Sequence, residues 1–82
     1  MVDLLKETGK GEKAKAILEN EAFKDAMNMI KATYFDAWSN SLPNDRETRE
    51  HCYNMFQAVK DLEGNLNSVL KTGEFASKQI NN

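Results

Sequence analysis

Four places in the 82 residues carry side chains that could do chemistry. The first is Thr8-Gly9-Lys10-Gly11, which has the glycines and the lysine of a phosphate-binding loop. That loop needs four residues between its first glycine and a Gly-Lys-Ser/Thr, and an apolar strand before it. Neither is present, so no nucleotide site is expected. The second is His51-Cys52, the only histidine and the only cysteine. Neighbours on a helix point about 100° apart, so these two do not form a dyad with each other. The third is Glu47 with His51, four residues apart, which reads as a solvated surface pair. A carboxylate-bridged metal site uses Glu-x-x-His, and Thr48 stands where the glutamate would be. A structural zinc site needs four ligands, which one cysteine and one histidine cannot supply. The fourth is the serine set Ser39, Ser41, Ser68 and Ser77, none with a histidine partner of assignable geometry. No acid and base carboxylates are paired by motif either. The reading is a protein without catalytic, cofactor-binding or metal residues.

Composition points the same way. Eighty-two residues make one small domain, near the lower limit for a self-sufficient core, so self-association or a partner is expected. Hydrophobic content of 40% with 29% charged residues is globular rather than disordered. Eleven basic against thirteen acidic residues give −2, with both signs mixed along the chain. Direct nucleic-acid binding is therefore not expected, because phosphate contacts need clustered Lys and Arg. A single cysteine rules out an internal disulfide framework. No run reaches the roughly 20 apolar residues of a membrane span, and charges interrupt any signal-peptide core in the first 20 residues. A soluble, intracellular protein is the expectation.

The elements that must position any contact residues are helices. From Asn44 to Gly73, the positions Cys52, Met55, Val59, Leu62, Leu66 and Val69 step by three and four, with Phe56 and Leu70 widening the stripe. Residues 21–40 carry a second stripe, Phe23, Met27, Ile30, Tyr34 and Trp38. Between them, Ser39 to Asn44 with Pro43 forms a tight reversal, because proline disfavours helix in the residue before it. Asn44 with Glu47 reads as a capping box, and Asn20 as the N-cap of the helix over 21–40. A shorter helix over 12–19 precedes it, although one continuous helix over 12–40 is an open alternative. Residues 1–11 read as a flexible lead broken by Gly9 and Gly11, with Val2, Leu4 and Leu5 able to dock. Gly73 reads as a left-handed cap that ends the last helix, with 74–82 a polar tail. The organisation is then lead 1–11, helical domain 12–73 and tail 74–82.

The expected fold is all-α: an antiparallel two-helix hairpin with a short N-terminal helix packed at its open end. The long helix, about 42 Å, outreaches its partner of about 30 Å at 1.5 Å per residue. Ile17 and Leu18 are placed to cover the overhang at Leu66, Val69 and Leu70. Tyr34, Phe35, Trp38, Tyr53 and Phe56 gather near the reversal. Of these, Phe35 and Tyr53 fall off the stripes and are the candidate protein-contact residues there. Gly64, opposite the stripe, is a candidate close-approach site for another helix. Phe75 and Ile80 are candidate docking residues of the tail.

From Ile17 to Gly73 one pattern is distinctive. Ile17-Leu18-Glu19-Asn20 leads to Ala22-Phe23, then Tyr34 and Trp38, then Pro43-Asn44-Asp45 with Arg49-Glu50, and a leucine-spaced helix ends in Lys71-Thr72-Gly73. This resembles short helical proteins encoded by tailed bacteriophages and prophages, often among head and packaging genes. The resemblance covers about two thirds of the chain and transfers no site residue. It implies a virion or assembly component, and with no catalytic residues in the chain the reading is a non-enzymatic viral protein that acts by protein–protein contact in virion assembly or structure. A helix pair this small buries its remaining apolar edge most easily by self-association, so a homo-oligomer is expected. The alternatives are an accessory inhibitor that binds a host protein, or a DNA-packaging accessory.

Overall fold

Three helices, α1 (Leu4–Glu19), α2 (Glu21–Ser39) and α3 (Arg46–Asn81), account for most of the chain in a computed structural model that describes residues 3–81. Each helix starts on a side-chain cap. Asp3 accepts from the Lys6 N–H at 3.1 Å and Asn20 from the Phe23 N–H at 2.9 Å, satisfying donors that the first turn leaves open. Asn20 is extended, at φ −69° and ψ 123°, so residues 12–40 form two helices joined by one residue. The cap of α3 lies one residue later than the Asn44–Glu47 box predicts. Asp45 accepts from both the backbone N–H and the hydroxyl of Thr48, at 3.1 and 2.7 Å. The shift follows from the turn before it. Asp45 N–H donates back to the Leu42 carbonyl across Pro43-Asn44, which places Asn44 inside the turn. The Arg49 guanidinium donates to that same carbonyl at 2.6 Å and ties the turn to α3.

Pairing along the helices runs in opposite directions. Gly11 of α1 meets Gly73, Lys31 of α2 meets Glu63, and Tyr34 meets His51. Rising numbers on α1 and α2 match falling numbers on α3, so both lie antiparallel to it. At 1.5 Å per residue α1 and α2 together measure about 53 Å, and α3 about 54 Å. They lie end to end along α3, in a molecule 58 × 27 × 14 Å. The smallest extent is that of a single layer of helices. α1 packs mainly against α3, α2 touches α3 more weakly, and α1 and α2 scarcely touch.

All-α architecture with α2 and α3 antiparallel agrees with the sequence reading, but three of its boundaries and its main contact do not. The lead 1–11 is helical from Leu4, and Gly9 and Gly11 do not break it. Val2 lies outside the described residues. Gly73 does not end α3, which continues to Asn81, so the tail over 74–81 is helix. No described residue has positive φ, so neither Gly11 nor Gly73 serves as a left-handed cap. Their reason is proximity. A Cβ built on Gly11 would lie 2.7 Å from the Gly73 Cα, and one on Gly73 would lie 2.6 Å from the Gly11 Cα and 2.9 Å from the Glu7 carbonyl oxygen. Ala14 and Ala76, three residues on from each glycine, are also buried. Two small-x-x-small pairs thus let the α1 and α3 backbones touch. Ile17, expected to cover the overhang, is exposed instead.

A layer one helix deep buries little. The buried apolar residues among those described are Ala14, Met27, Cys52 and Ala76. Cys52 takes the place on the α3 stripe expected of it, as a small buried hydrophobe.

Candidate protein-contact surface

At the turn end, α2 brings Tyr34, Phe35 and Trp38 opposite Cys52, Tyr53, Phe56 and Gln57 of α3. These seven line an open, mainly apolar cleft of about 200 Å³. The spacing explains it. Tyr34 and Trp38 are one turn apart on the α2 stripe, and Phe35 stands beside them. Tyr53 and Phe56 stand on the matching flank of the α3 stripe. Phe35 is 55% and Tyr53 58% exposed, and Trp38 47%, so half of each aromatic surface faces solvent. The Phe35 and Trp38 rings are 6.0 Å apart and tilted by 40°. Lys60 lies 5.8 Å from the Phe56 ring centroid, within cation–π range.

A second, more polar groove shares Trp38 and Tyr53 with this cleft and adds Arg46, Arg49, Glu50 and Asn54. Among the described residues, no carboxylate pairs with either arginine within 4 Å. One end of the molecule therefore presents aromatic faces next to two guanidinium groups. That combination suits a protein segment with an apolar anchor and an acidic neighbour, since aromatics and arginine dominate anchor positions in interfaces.

Of the five predicted contact residues, the structure brings Phe35 and Tyr53 into one site. Gly64 is exposed on the outer side of α3, with nothing within 4 Å of a Cβ built there. Phe75, at 64%, and Ile80 are exposed in the last turns of α3, far along the helix from the cleft. Sequence reasoning passed over the two arginines, whose signal was their place one and two turns before Tyr53. It also passed over Met29 and Leu42, each more exposed than Phe35, Tyr53, Phe75 or Ile80, while Leu5, read as able to dock, is more exposed still.

The described residues contain no group of three or more His, Cys, Asp or Glu able to hold a metal ion. The His51 ring meets Tyr34 edge to face, with centroids 6.0 Å apart. No described helix is long and apolar enough to cross a membrane. No family model, curated protein or solved structure matches the chain.

Proposed function

We propose that this chain is a non-enzymatic contact protein of the tailed-bacteriophage type, acting in virion assembly or in the virion by docking protein partners and by self-association. The observation that supports it is the aromatic cleft. Three large rings lie about half exposed on the α2–α3 pair, where a monomer gains nothing from leaving them wet. The adjoining Arg46 and Arg49 give the partner a definite chemistry, an apolar side chain followed or preceded by a carboxylate.

Affinity capture from the producing cells tests this reading. The intact chain should recover head or packaging proteins, and the Trp38→Ala and Phe35→Glu variants should lose them. Recovery of one host enzyme would shift the reading to an accessory inhibitor. Recovery that survives both substitutions would remove the cleft from the account.

A further inference from the structure

The two broad faces of the α2–α3 layer differ in charge. At about 100° per residue, Ala26, Ile30, Thr33 and Ala37 share one flank of the α2 stripe. Ala58, Leu62, Asn65 and Val69 share the corresponding flank of α3. All eight are exposed and none is ionisable. In an antiparallel pair, flanks displaced in the same rotational sense from each stripe lie on the same face of the layer. The opposite flanks confirm this assignment. They carry the partners of the aromatic cleft and the Lys31–Glu63 ion pair at 2.9 Å, which cross from one helix to the other. Lys24, Lys60, Lys71 and Glu74 also belong to that side by the same geometry. On this face the ionisable groups of α3 are Glu47 and His51 at the turn end, with Asp61 at the outer edge, about 40° beyond Asn65.

We infer that the uncharged face of the α2–α3 layer, centred on Ala26, Ile30, Ala58 and Leu62, is the seat of a second copy of this chain related by a two-fold axis. Three observations carry it. The first is area. The chain exposes 6382 Å², whereas a compact chain of 9.3 kDa exposes about 5,000 Å². The excess, about 1,400 Å², more than covers the roughly 800 Å² that each partner contributes to a stable interface. The second is layering. A 14 Å slab leaves its apolar flanks open, and stacking one slab on another makes the two-layer arrangement that helical domains require. The third is charge. In a two-fold interface the side chains beside the axis meet their own copies, so a charge there meets a like charge. The middle of the uncharged face, around Ala26, Ile30, Ala58 and Leu62, has no charge to set against its copy, whereas the cleft side carries Lys24, Lys31, Lys60 and Lys71 against Glu63 and Glu74. Alanine and threonine at Ala26, Thr33, Ala37 and Ala58 keep the surface low enough for helices to approach closely, with Ile30 and Leu62 as its larger contacts.

This assignment deepens the contact-protein reading and rests on it. The test is sedimentation equilibrium of the full chain across a wide concentration range. A concentration-dependent dimer is expected. Ala26→Glu and Ala58→Glu replace exposed helix residues with another good helix former, so far-UV circular dichroism should stay unchanged. Each should raise the dimer dissociation constant at least about a hundredfold, because two carboxylates are then buried near one another. Lys60→Glu, on the cleft side, should leave it unaltered. A chain that stays monomeric at every concentration overturns the inference, and so does a dimer that tolerates both glutamates. Either failure leaves the cleft and its capture experiment standing, so the two readings fail separately.

Discussion

The Cα of Gly73 occupies the place where a side chain on Gly11 would have to go, and the converse holds within 0.1 Å: the two built Cβ distances are 2.7 and 2.6 Å. The atoms in the way are backbone, which cannot swing aside. This single crossing fixes how closely α1 lies on α3.

Alanine at either position should push the helices apart and destabilise the chain by about 1–3 kcal/mol, the usual cost of overpacking. Gly9 and Gly64 have nothing within 4 Å of a built Cβ. Alanine there should stabilise by up to about 1 kcal/mol, because helix-interior glycine is entropically costly. Urea denaturation followed by circular dichroism separates the two pairs by sign. Equal effects at all four glycines would refute the close-contact account.

Met27 is the one large side chain of α2 that is buried. Met27→Ala should cost about 2 kcal/mol, the low end for a buried methionine, because a single layer can close partly over the gap. Since α2 is the more weakly held helix, its amides should lose hydrogen-exchange protection before those of α1. Uniform loss across all three helices would contradict that order.

Lys31 and Glu63 form the ion pair that links α2 to α3, with about 30% of each side chain exposed. A double-mutant cycle with Lys31→Met and Glu63→Gln should give a coupling of up to about 1 kcal/mol. Molar salt should reduce it by screening. A coupling that salt leaves untouched would mean the pair acts through packing.

Asp45 is held below its ordinary carboxyl value of 3.8 by the Thr48 hydroxyl, then by the Thr48 N–H, with a smaller contribution from the Arg49 guanidinium. A depressed folded-state value stabilises the fold above the unfolded value, and that contribution disappears as pH falls through the folded value. The wild type should therefore be more stable than Asp45→Asn at neutral pH. The difference should shrink as pH drops below about 3.8. Thermal melts of both proteins across the acid range would show it, and a gap that stays constant would argue against the cap as its source.

How much of this was legible in the residues depends on how far apart the cooperating groups lie. The α2 and α3 stripes, the Asn20 cap, the reversal at Pro43 and the aromatic gathering of Tyr34 with Phe56 all follow from neighbours within a few turns. Gly11 and Gly73 do not. Each taken alone looks like a stop, because the reason for a small residue there is another backbone 62 positions away. Misreading those two glycines shortened α1 at its start and α3 at its end. It also hid the fact that α1, rather than α2, makes the main contact with α3. The cap slipped from Asn44 to Asp45 for a local reason, since two good capping residues stood side by side and the turn hydrogen bond to Leu42 decided between them. The exposure of Phe35 and Tyr53 was readable from their offset. The charge-free flank was also present in the spacing of Ala26, Ile30, Ala58 and Leu62, but it emerges only once both helices are given a common face.

α3 runs the whole length of the molecule, and α1 and α2 abut beside it at Asn20. The separation of the two extremities is therefore gauged by one unbroken rod, with no joint in it that could telescope. Seven residues added to that rod would lengthen the gauge by about 10.5 Å and leave its ends turned by only about 20°. Two added residues would barely lengthen it, yet would swing one end about 200° round the other. Anything that grips both extremities at once is sensitive to the phase of this rod far more than to its length.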